Sequence, residues 1–305
     1  MKPSDSLNDF PATHIARNGI LVRREGSRWT IAGRNRLVSL DEDTLRLSVE
    51  SGGRRWIAEQ PGASDLVLEE HGHRAELSLA GAGRREISPY ETGARRGILV
   101  VLEGWTVPGI GTSPDPRLQL FLSLESGNEE LVCEVVALQE TLHVSRLSWP
   151  GSFTPESFDH TVVPFMQGML LPRNWPDEVK LYDSHAYGRG LYMPWWGFLQ
   201  GDAGAMVILE SPDDGGCILS HAPGGPTRID PVWHGSLGRL RYPRRLRIAF
   251  TEGGYVGLAK RYRRHVRVSG TFVSLEEKAA RTPLAARLVG SPVATLPFAS
   301  RASNL

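Results

Sequence analysis

The segment from Tyr192 to Gly197 (Tyr-Met-Pro-Trp-Trp-Gly) carries the side chains best suited to contact a ligand. Neighbouring residues of a β-strand point to opposite faces, so we expect at most one of Trp195 and Trp196 in the core of a one-sided sheet. The other indole would present a flat apolar face and one N–H donor, which suits stacking on a sugar ring. The alternative, which we favour, is that both indoles pack where long loops fold over the sheet, because tryptophan is mostly buried on average.

Polar side chains lie on both sides of this segment in the sequence. Arg173 follows the stretch from Pro164 to Pro172, and Asp213 and Asp214 lie in a Pro-Asp-Asp-Gly sequence. With Tyr192 and the two tryptophans, these three residues complete the predicted substrate-binding set, as hydrogen-bond partners of hydroxyl groups. Pro-Asp-Asp-Gly is also the composition of a tight turn, which is the interpretation we favour. A glycosidase carboxylate pair is held about 5–10 Å apart, a geometry that adjacent turn residues do not provide.

Other motifs do not match the patterns of catalytic or metal sites. His71-Gly72-His73 has no further Cys or His at ligand spacing, so an exposed turn is expected. Ser236 lacks the glycine two positions earlier that a nucleophile elbow requires. The basic series from Arg239 to Arg267 lacks interleaved exposed aromatic residues and a recognised nucleic-acid fold pattern, which favours a solvated or domain-docking face over a nucleic-acid site. We therefore predict no catalytic residue, no metal ion and no cofactor.

Composition sets broad limits on the class of protein. The chain has 305 residues, 40% hydrophobic and 23% charged, enough for one large or two medium domains. Its net charge of +1 gives no global attraction to nucleic acid or anionic membranes. Cys133 and Cys217 are too few for a disulfide framework and are expected to be reduced core residues. The first ten residues lack the apolar region of a secretory signal, so a cytoplasmic location is predicted.

Residues 15–252 show the two-residue alternation of β-strands separated by turn residues. Leu45, Leu47 and Val49 alternate with polar residues up to Ser51-Gly52-Gly53, and the pattern resumes at Arg55. Further hairpins are predicted from Leu118 to Leu138 and from Trp196 to Glu210. The run from Ile98 to Leu102 is expected to be a strand covered on both faces. The predicted fold is mainly β, a large antiparallel β-supersandwich in which 149–194 forms long ordered loops.

Helical signals begin only near Tyr255. Val256, Ala259, Tyr262 and Val266 recur at helical spacing, and Gly270 stands where a C-terminal capping glycine belongs. Ser274 and Glu277 have the spacing of a capping box. Thr282-Pro283 predicts the cap and first residue of a further short helix that ends at Gly290. These segments form a C-terminal helical connector.

Four segments carry a family resemblance: Pro164–Pro172, Tyr192–Gly197, Ile208–Gly215 and Tyr255–Pro292. They resemble the sandwich and connector of bacterial glycoside hydrolases related to endo-α-N-acetylgalactosaminidases and α-N-acetylgalactosaminidases. The resemblance implies a galactose-mutarotase-like supersandwich followed by a catalytic (β/α)₈ barrel. The family's catalytic carboxylates lie in that barrel, so none can be assigned to a residue of this sequence.

The resulting domain plan has four parts. We predict a flexible leader (1–14), the supersandwich (15–252), the connector (253–290) and a tail (291–305) that would begin the missing barrel. The leading hypothesis is a non-catalytic or incomplete sandwich domain, inactive alone, whose partners are a carbohydrate and a catalytic barrel domain or separate barrel chain.

Two alternative functions remain open. One is a free-standing enzyme resembling an aldose epimerase, which would need a His and a carboxylate on opposite sides of a sugar ring. The other is a carbohydrate-binding or protein-docking module.

Overall fold

A computed structural model describes most of residues 15–291. The gaps are residues 18, 71, 110, 114–115, 140–141, 166–167, 175, 177–180, 188–189, 224, 236–239 and 241. The predicted leader (1–14) and nearly all of the predicted tail lie outside the described residues. The described residues form two compact units, which divide between Arg261 and Tyr262.

Strands dominate the first unit, as the sequence predicts. In chain order they are β1 (Ile15–Arg17), β2 (Ile20–Glu25), β3 (Arg28–Ala32), β4 (Arg36–Asp41), β5 (Leu47–Ser51), β6 (Arg54–Ile57), β7 (Leu66–Glu70), β8 (His73–Leu77), β9 (Arg84–Thr92), β10 (Arg95–Glu103), β11 (Trp105–Val107), β12 (Gly111–Ser113), β13 (Arg117–Glu125), β14 (Leu131–Gln139), β15 (His143–Leu147), β16 (His160–Val163), β17 (Met169–Pro172), β18 (Leu181–Tyr187), β19 (Gly190–Leu191), β20 (Trp195–Gln200), β21 (Ala203–Leu209), β22 (Gly215–His221), β23 (Thr227–His234) and β24 (Arg244–Glu252). Short 3₁₀ turns lie at Leu79–Gly81 and Pro155–Ser157.

The first six strands form an antiparallel meander in chain order. Its β5–β6 hairpin turns through Gly52 and Gly53, both with positive φ, as the sequence predicts. Leu45 departs from the expected alternation: it lies outside the strand, with φ of 55° and a buried side chain. Buried positions such as Val38 and Val49 alternate with positions on the opposite, more exposed face of the sheet.

The remaining strands form two larger sheets and a small hairpin. The nine-stranded sheet has the order β17-β16-β20-β21-β24-β14-β13-β10-β9, and the seven-stranded sheet the order β19-β18-β22-β23-β15-β7-β8. Strands β11 and β12 pair separately. The predicted hairpins β13–β14 and β20–β21 are confirmed. Four strands, β16 to β19, run through residues 149–194, where the sequence predicts loops.

One hydrophobic core joins the three large sheets, which gives the mainly-β sandwich predicted from the sequence. Its buried members include Trp29 and Trp56 of the meander, Val100 of β10 and Trp233 of β23. The run within β10 is not covered equally on both faces, because Leu99 is only half-buried. The free cysteines Cys133 and Cys217 are both buried, on strands of different sheets.

Two α-helices follow the strands: α1 (Gly254–Val268) and α2 (Leu275–Arg281). The start of α1 belongs to the first unit and covers the outer face of the nine-stranded sheet. Leu258 is buried, and a Cβ atom on Gly197 would lie 2.4 Å from its Cδ1 atom. Glycine at position 197 therefore leaves room for the Leu258 side chain, which any Cβ atom at this position would displace.

The second unit contains the end of α1, helix α2 and a 3₁₀ turn at Pro283–Leu288. The capping box is confirmed: Glu277 N–H donates to Ser274 Oγ, and Ser274 N–H donates to the Glu277 carboxylate. Pro283 begins the last turn as predicted, but the Thr282 side chain makes no capping hydrogen bond. No helix within the described residues has both the length and the apolar character needed to cross a bilayer.

Candidate functional site

The turn at Tyr192–Pro194 lies where edge strands of the two large sheets meet. Strand β19 is an edge of the seven-stranded sheet and β17 an edge of the nine-stranded sheet. Phe165 forms a β-bridge with Leu191, and Tyr192 N–H donates to the Pro164 carbonyl at 3.3 Å. The chain then enters β20. Backbone pairing thus holds this turn at a corner of the sandwich.

Large apolar side chains are exposed at this corner. Tyr192 is 59% exposed, and Leu170 of β17 and Met193 are also exposed. Leu191 beneath them is fully buried. We refer to Leu170, Tyr192 and Met193 as the corner patch. An exposed aromatic ring with a hydroxyl beside aliphatic side chains suits the apolar face of a sugar ring, with a hydrogen bond at the edge.

The expectation that at most one of the two tryptophans is buried is wrong. Trp196 is 0% exposed and Trp195 is 4% exposed. Trp196 belongs to the core between the sheets, where it and Phe198 line the same small cavity. The opposite face of β20, which carries Trp195 and Gly197, is covered as well, because α1 packs over it. Both faces of the sheet are covered at this position, so neither indole is exposed for stacking on a sugar.

Arg173 lies just after β17 and is half-buried. Its backbone N–H donates to the Asp159 carbonyl at 2.8 Å, and its guanidinium donates to the Pro155 carbonyl at 3.1 Å. The side chain therefore anchors the 3₁₀ turn at 155–157. Its contact with a substrate remains a prediction.

Asp213 and Asp214 have different environments although they share one turn. The turn itself is confirmed, since Gly215 N–H donates to the Pro212 carbonyl at 3.0 Å. Asp213 is exposed, whereas the Asp214 side chain is fully buried against Arg244, which is also fully buried. The structure contradicts the role of Asp214 as a ligand for hydroxyl groups, because its carboxylate is enclosed within the protein.

Arg244 and Tyr242 satisfy the Asp214 carboxylate completely. The guanidinium donates from Nε to Oδ1 at 3.0 Å and from Nη2 to Oδ2 at 2.5 Å, and the Tyr242 hydroxyl donates to Oδ1 at 2.7 Å. Burial and this hydrogen bond raise the pKa of Tyr242 to about 12. A bidentate, charge-assisted pair of this kind is a structural anchor. Sequence reasoning missed it because the partners are 30 positions apart.

The carboxylate of Glu210, just beyond β21, is also held by arginine. Arg247 Nε donates to Glu210 at 2.8 Å and Arg247 Nη1 donates to Glu125 at 2.6 Å. Glu130 joins both Arg247 and Arg261, whose Nε donates to it at 2.6 Å. This network ties the first turns of α1 to the outer face of the nine-stranded sheet. Because its carboxylates are paired with arginines, we interpret their role as structural.

One further carboxyl has the pKa of a general acid. Burial, with the nearby charge of Asp230, raises the pKa of Asp65 to about 7. It precedes β7, and three strands of the seven-stranded sheet (β22, β23 and β15) separate β7 from the β18–β19 edge near the corner patch. Asp230 accepts a hydrogen bond from Ser152 N–H at 2.7 Å. Asp65 and Asp230 are therefore not part of the corner patch. Among the described residues, no group of three or more His, Cys, Asp or Glu side chains could hold a metal ion.

The fold relates the chain to glycoside hydrolases. No protein-family model and no curated protein sequence matches it, but solved structures do. The chain is similar in structure to part of the α-N-acetylgalactosaminidase NagBb from Bifidobacterium bifidum. In the Gal-NHAc-DNJ complex of that enzyme the TM-score is 0.72 at 26% identity, and in the GalNAc complex 0.71 at 27%. Both matches cover 83% of this chain and 41% of the enzyme chain, so this chain spans less than half of the enzyme's length.

Proposed function

We propose that this chain is a carbohydrate-associated sandwich domain of a glycoside hydrolase and performs no catalysis alone. The observation that carries the proposal is the match to less than half of an α-N-acetylgalactosaminidase chain. The family resemblance assigns catalysis to a (β/α)₈ barrel, which this domain would support. In agreement, Glu210 and Asp214 are held by arginines, in structural pairs.

The proposed barrel contact lies on the second unit. Neither α2 nor the turn at Pro283–Leu288 has a buried residue. Phe272, Leu275, Leu284 and Leu288 are all exposed, and Leu288 is 64% exposed. Exposed apolar side chains grouped in this way mark an interaction surface. A catalytic barrel, as a further domain or a separate chain, is the partner we propose for it.

The proposed lack of activity can be measured directly. The purified chain, incubated with 4-nitrophenyl α-N-acetylgalactosaminide, should release no more nitrophenol than buffer does. Incubation with free aldoses should likewise leave the rate of anomer interconversion unchanged. Turnover of the nitrophenyl substrate would show that the chain carries its own hydrolytic site. Accelerated interconversion would favour the epimerase-like alternative, for which an acid and a base must flank the sugar.

The corner patch is proposed as part of the rim of the sugar site. Saturation-transfer NMR with GalNAc should show magnetisation transfer from the wild-type chain, and Tyr192→Ala should reduce it severalfold because the stacking ring is lost. Tyr255→Ala is the matched control, since Tyr255 is 58% exposed at the start of α1. Neither substitution removes a buried side chain, so both variants should fold. Equal transfer in all three proteins would exclude the corner patch as a sugar contact.

A further inference from the structure

The outer face of the meander carries two adjoining polar clefts. One, of about 420 Å³, lies at the turns that follow β3 and β5, and the other, of about 430 Å³, lies along the strands beside it. Arg55 lines both clefts. We refer to the combined surface as the meander groove. It lies on the sheet face opposite the core, since the lining residues alternate with buried ones such as Val38 and Val49.

The meander groove is positively charged although the whole chain is almost neutral. Six arginines and two acidic residues, Asp41 and Glu50, line it. The guanidiniums of Arg36, Arg46 and Arg54 donate hydrogen bonds elsewhere in the fold. The side chains of Arg28, Arg34 and Arg55 make no hydrogen bond or ion pair with the described residues. Three guanidinium groups therefore keep their hydrogen-bonding capacity for an anion, and of these Arg28 also attracts the Asp41 carboxylate electrostatically.

The two acidic residues offset only part of the charge of six arginines. The Asp41 carboxylate already accepts hydrogen bonds from the Thr44 N–H at 2.8 Å and the Thr44 hydroxyl at 2.7 Å. The Thr44 hydrogen bonds hold the pKa of Asp41 below its usual value. Ser39 and Ser48, which pair across β4 and β5, add hydroxyl groups to the floor of the groove. Free guanidiniums beside hydroxyls are suited to carboxylate or sulfate groups carried on a polar backbone.

The length of the meander groove exceeds what one small anion would fill. Arg55 pairs with Glu50, which pairs with Leu37, while Arg28 pairs with Asp41 four residues further along β4. At about 3.3 Å per residue, these two rows lie roughly 13 Å apart along the strands. Anionic groups on successive units of a chain-like ligand would contact both rows.

The residue types that line the clefts distinguish between two classes of anionic polymer, single-stranded nucleic acid and acidic oligosaccharide. No aromatic side chain occurs in the described lining of either cleft. Single-stranded nucleic acid is held mainly by stacking of its bases on aromatic rings, which this surface lacks. Neutral sugars also rely on aromatic rings for stacking. From the free guanidiniums, the hydroxyls and the extended shape, we infer that the meander groove binds an acidic oligosaccharide through its carboxylate and sulfate groups.

The test is calorimetric titration of the full chain at low salt with a chondroitin sulfate tetrasaccharide. Chitotetraose serves as the neutral ligand of equal length, inorganic sulfate as the free anion and a thymidine oligonucleotide as the nucleic acid. Only the acidic tetrasaccharide should bind strongly, and its dissociation constant should rise with added NaCl because exposed charges are screened. The double variant Arg28→Gln/Arg55→Gln should raise that constant at least about tenfold, or about 1.4 kcal/mol.

The matched control is Arg263→Gln/Arg264→Gln, which removes the same charge from exposed positions of α1. It should leave the dissociation constant within about twofold of the wild-type value, because neither arginine lines the meander groove. Equal weakening by both double variants, or absence of binding to the tetrasaccharide, would refute the assignment. Comparable binding of chitotetraose, sulfate or the oligonucleotide would also refute it. These outcomes do not depend on the GalNAc experiment, which reports on the corner patch.

Discussion

Replacement of Trp196 by alanine is expected to lower the free energy of unfolding by about 3–5 kcal/mol. The indole is 0% exposed within the core between the sheets, and Phe198 lies beside it on the same face of β20. Phe198 in turn packs edge-on against Phe153, with ring centroids 5.2 Å apart. Truncation would leave a cavity that these packed rings cannot fill. The variant therefore loses the transfer free energy of the indole and also carries the free-energy cost of the cavity. Urea denaturation of the wild type and the variant measures the difference.

Two other variants show whether burial is the cause. Trp195→Ala should also be clearly destabilising, because Trp195 is buried on the other face of β20. Tyr192→Ala should change stability by no more than about 0.5 kcal/mol, as is usual for an exposed side chain. The sequence alone predicted a large cost for only one of the two tryptophans. If Trp196→Ala cost no more than Tyr192→Ala, the burial described here would be wrong.

Replacement of Asp214 by alanine is expected to cost a similar amount, about 3–5 kcal/mol. The variant leaves the Arg244 guanidinium fully buried without its carboxylate. It also removes the acceptor of the Tyr242 hydroxyl. Removing one partner of a buried ion pair is far more costly than losing a surface ion pair. Asp213→Ala is the matched control in the same turn, and it should be nearly neutral because Asp213 is exposed.

A double-mutant cycle separates the ion pair from simple packing. Once Asp214 is alanine, the further change Arg244→Met should recover part of the lost stability, since it removes the buried charge that has lost the Asp214 carboxylate and keeps an apolar side chain of similar length. The coupling free energy between the two positions should therefore be large. Additive costs for the two single changes would indicate that the Asp214–Arg244 pair does not form.

Local features of this fold could be predicted from the sequence. The Gly52-Gly53 hairpin turn needs positive φ, which glycine adopts without strain. Ser274 and Glu277 form the predicted capping box because both partners lie within one helical turn. The turn before Gly215 and the alternation along β13 and β14 are likewise specified by neighbouring residues. Together they predicted the mainly-β class correctly.

The candidate site could be predicted only in part. The sequence directed attention to Tyr192–Gly197, and the structure places an exposed Tyr192 there, at a corner where two sheets meet. The sequence also pointed to Asp214 as a ligand residue. Its partner Arg244 is 30 positions away and becomes a neighbour only through folding. No sequence motif predicted the meander groove, because its arginines come from different strands and from the turn after β3.

Turns, caps and strand periodicity are set by residues close together in the chain, so the amino-acid sequence by itself determined the class of fold, several hairpins and the capping box of α2. It did not reveal the four strands β16 to β19 within residues 149–194. Tertiary structure alone decided which faces are covered. Alternation along β20 distinguishes the side of Trp195 from that of Trp196, but it does not reveal that Leu258 of α1 packs on one side while the core fills the other. Exposure, and therefore the capacity to bind a ligand, depends on packing between distant segments, which no local pattern encodes.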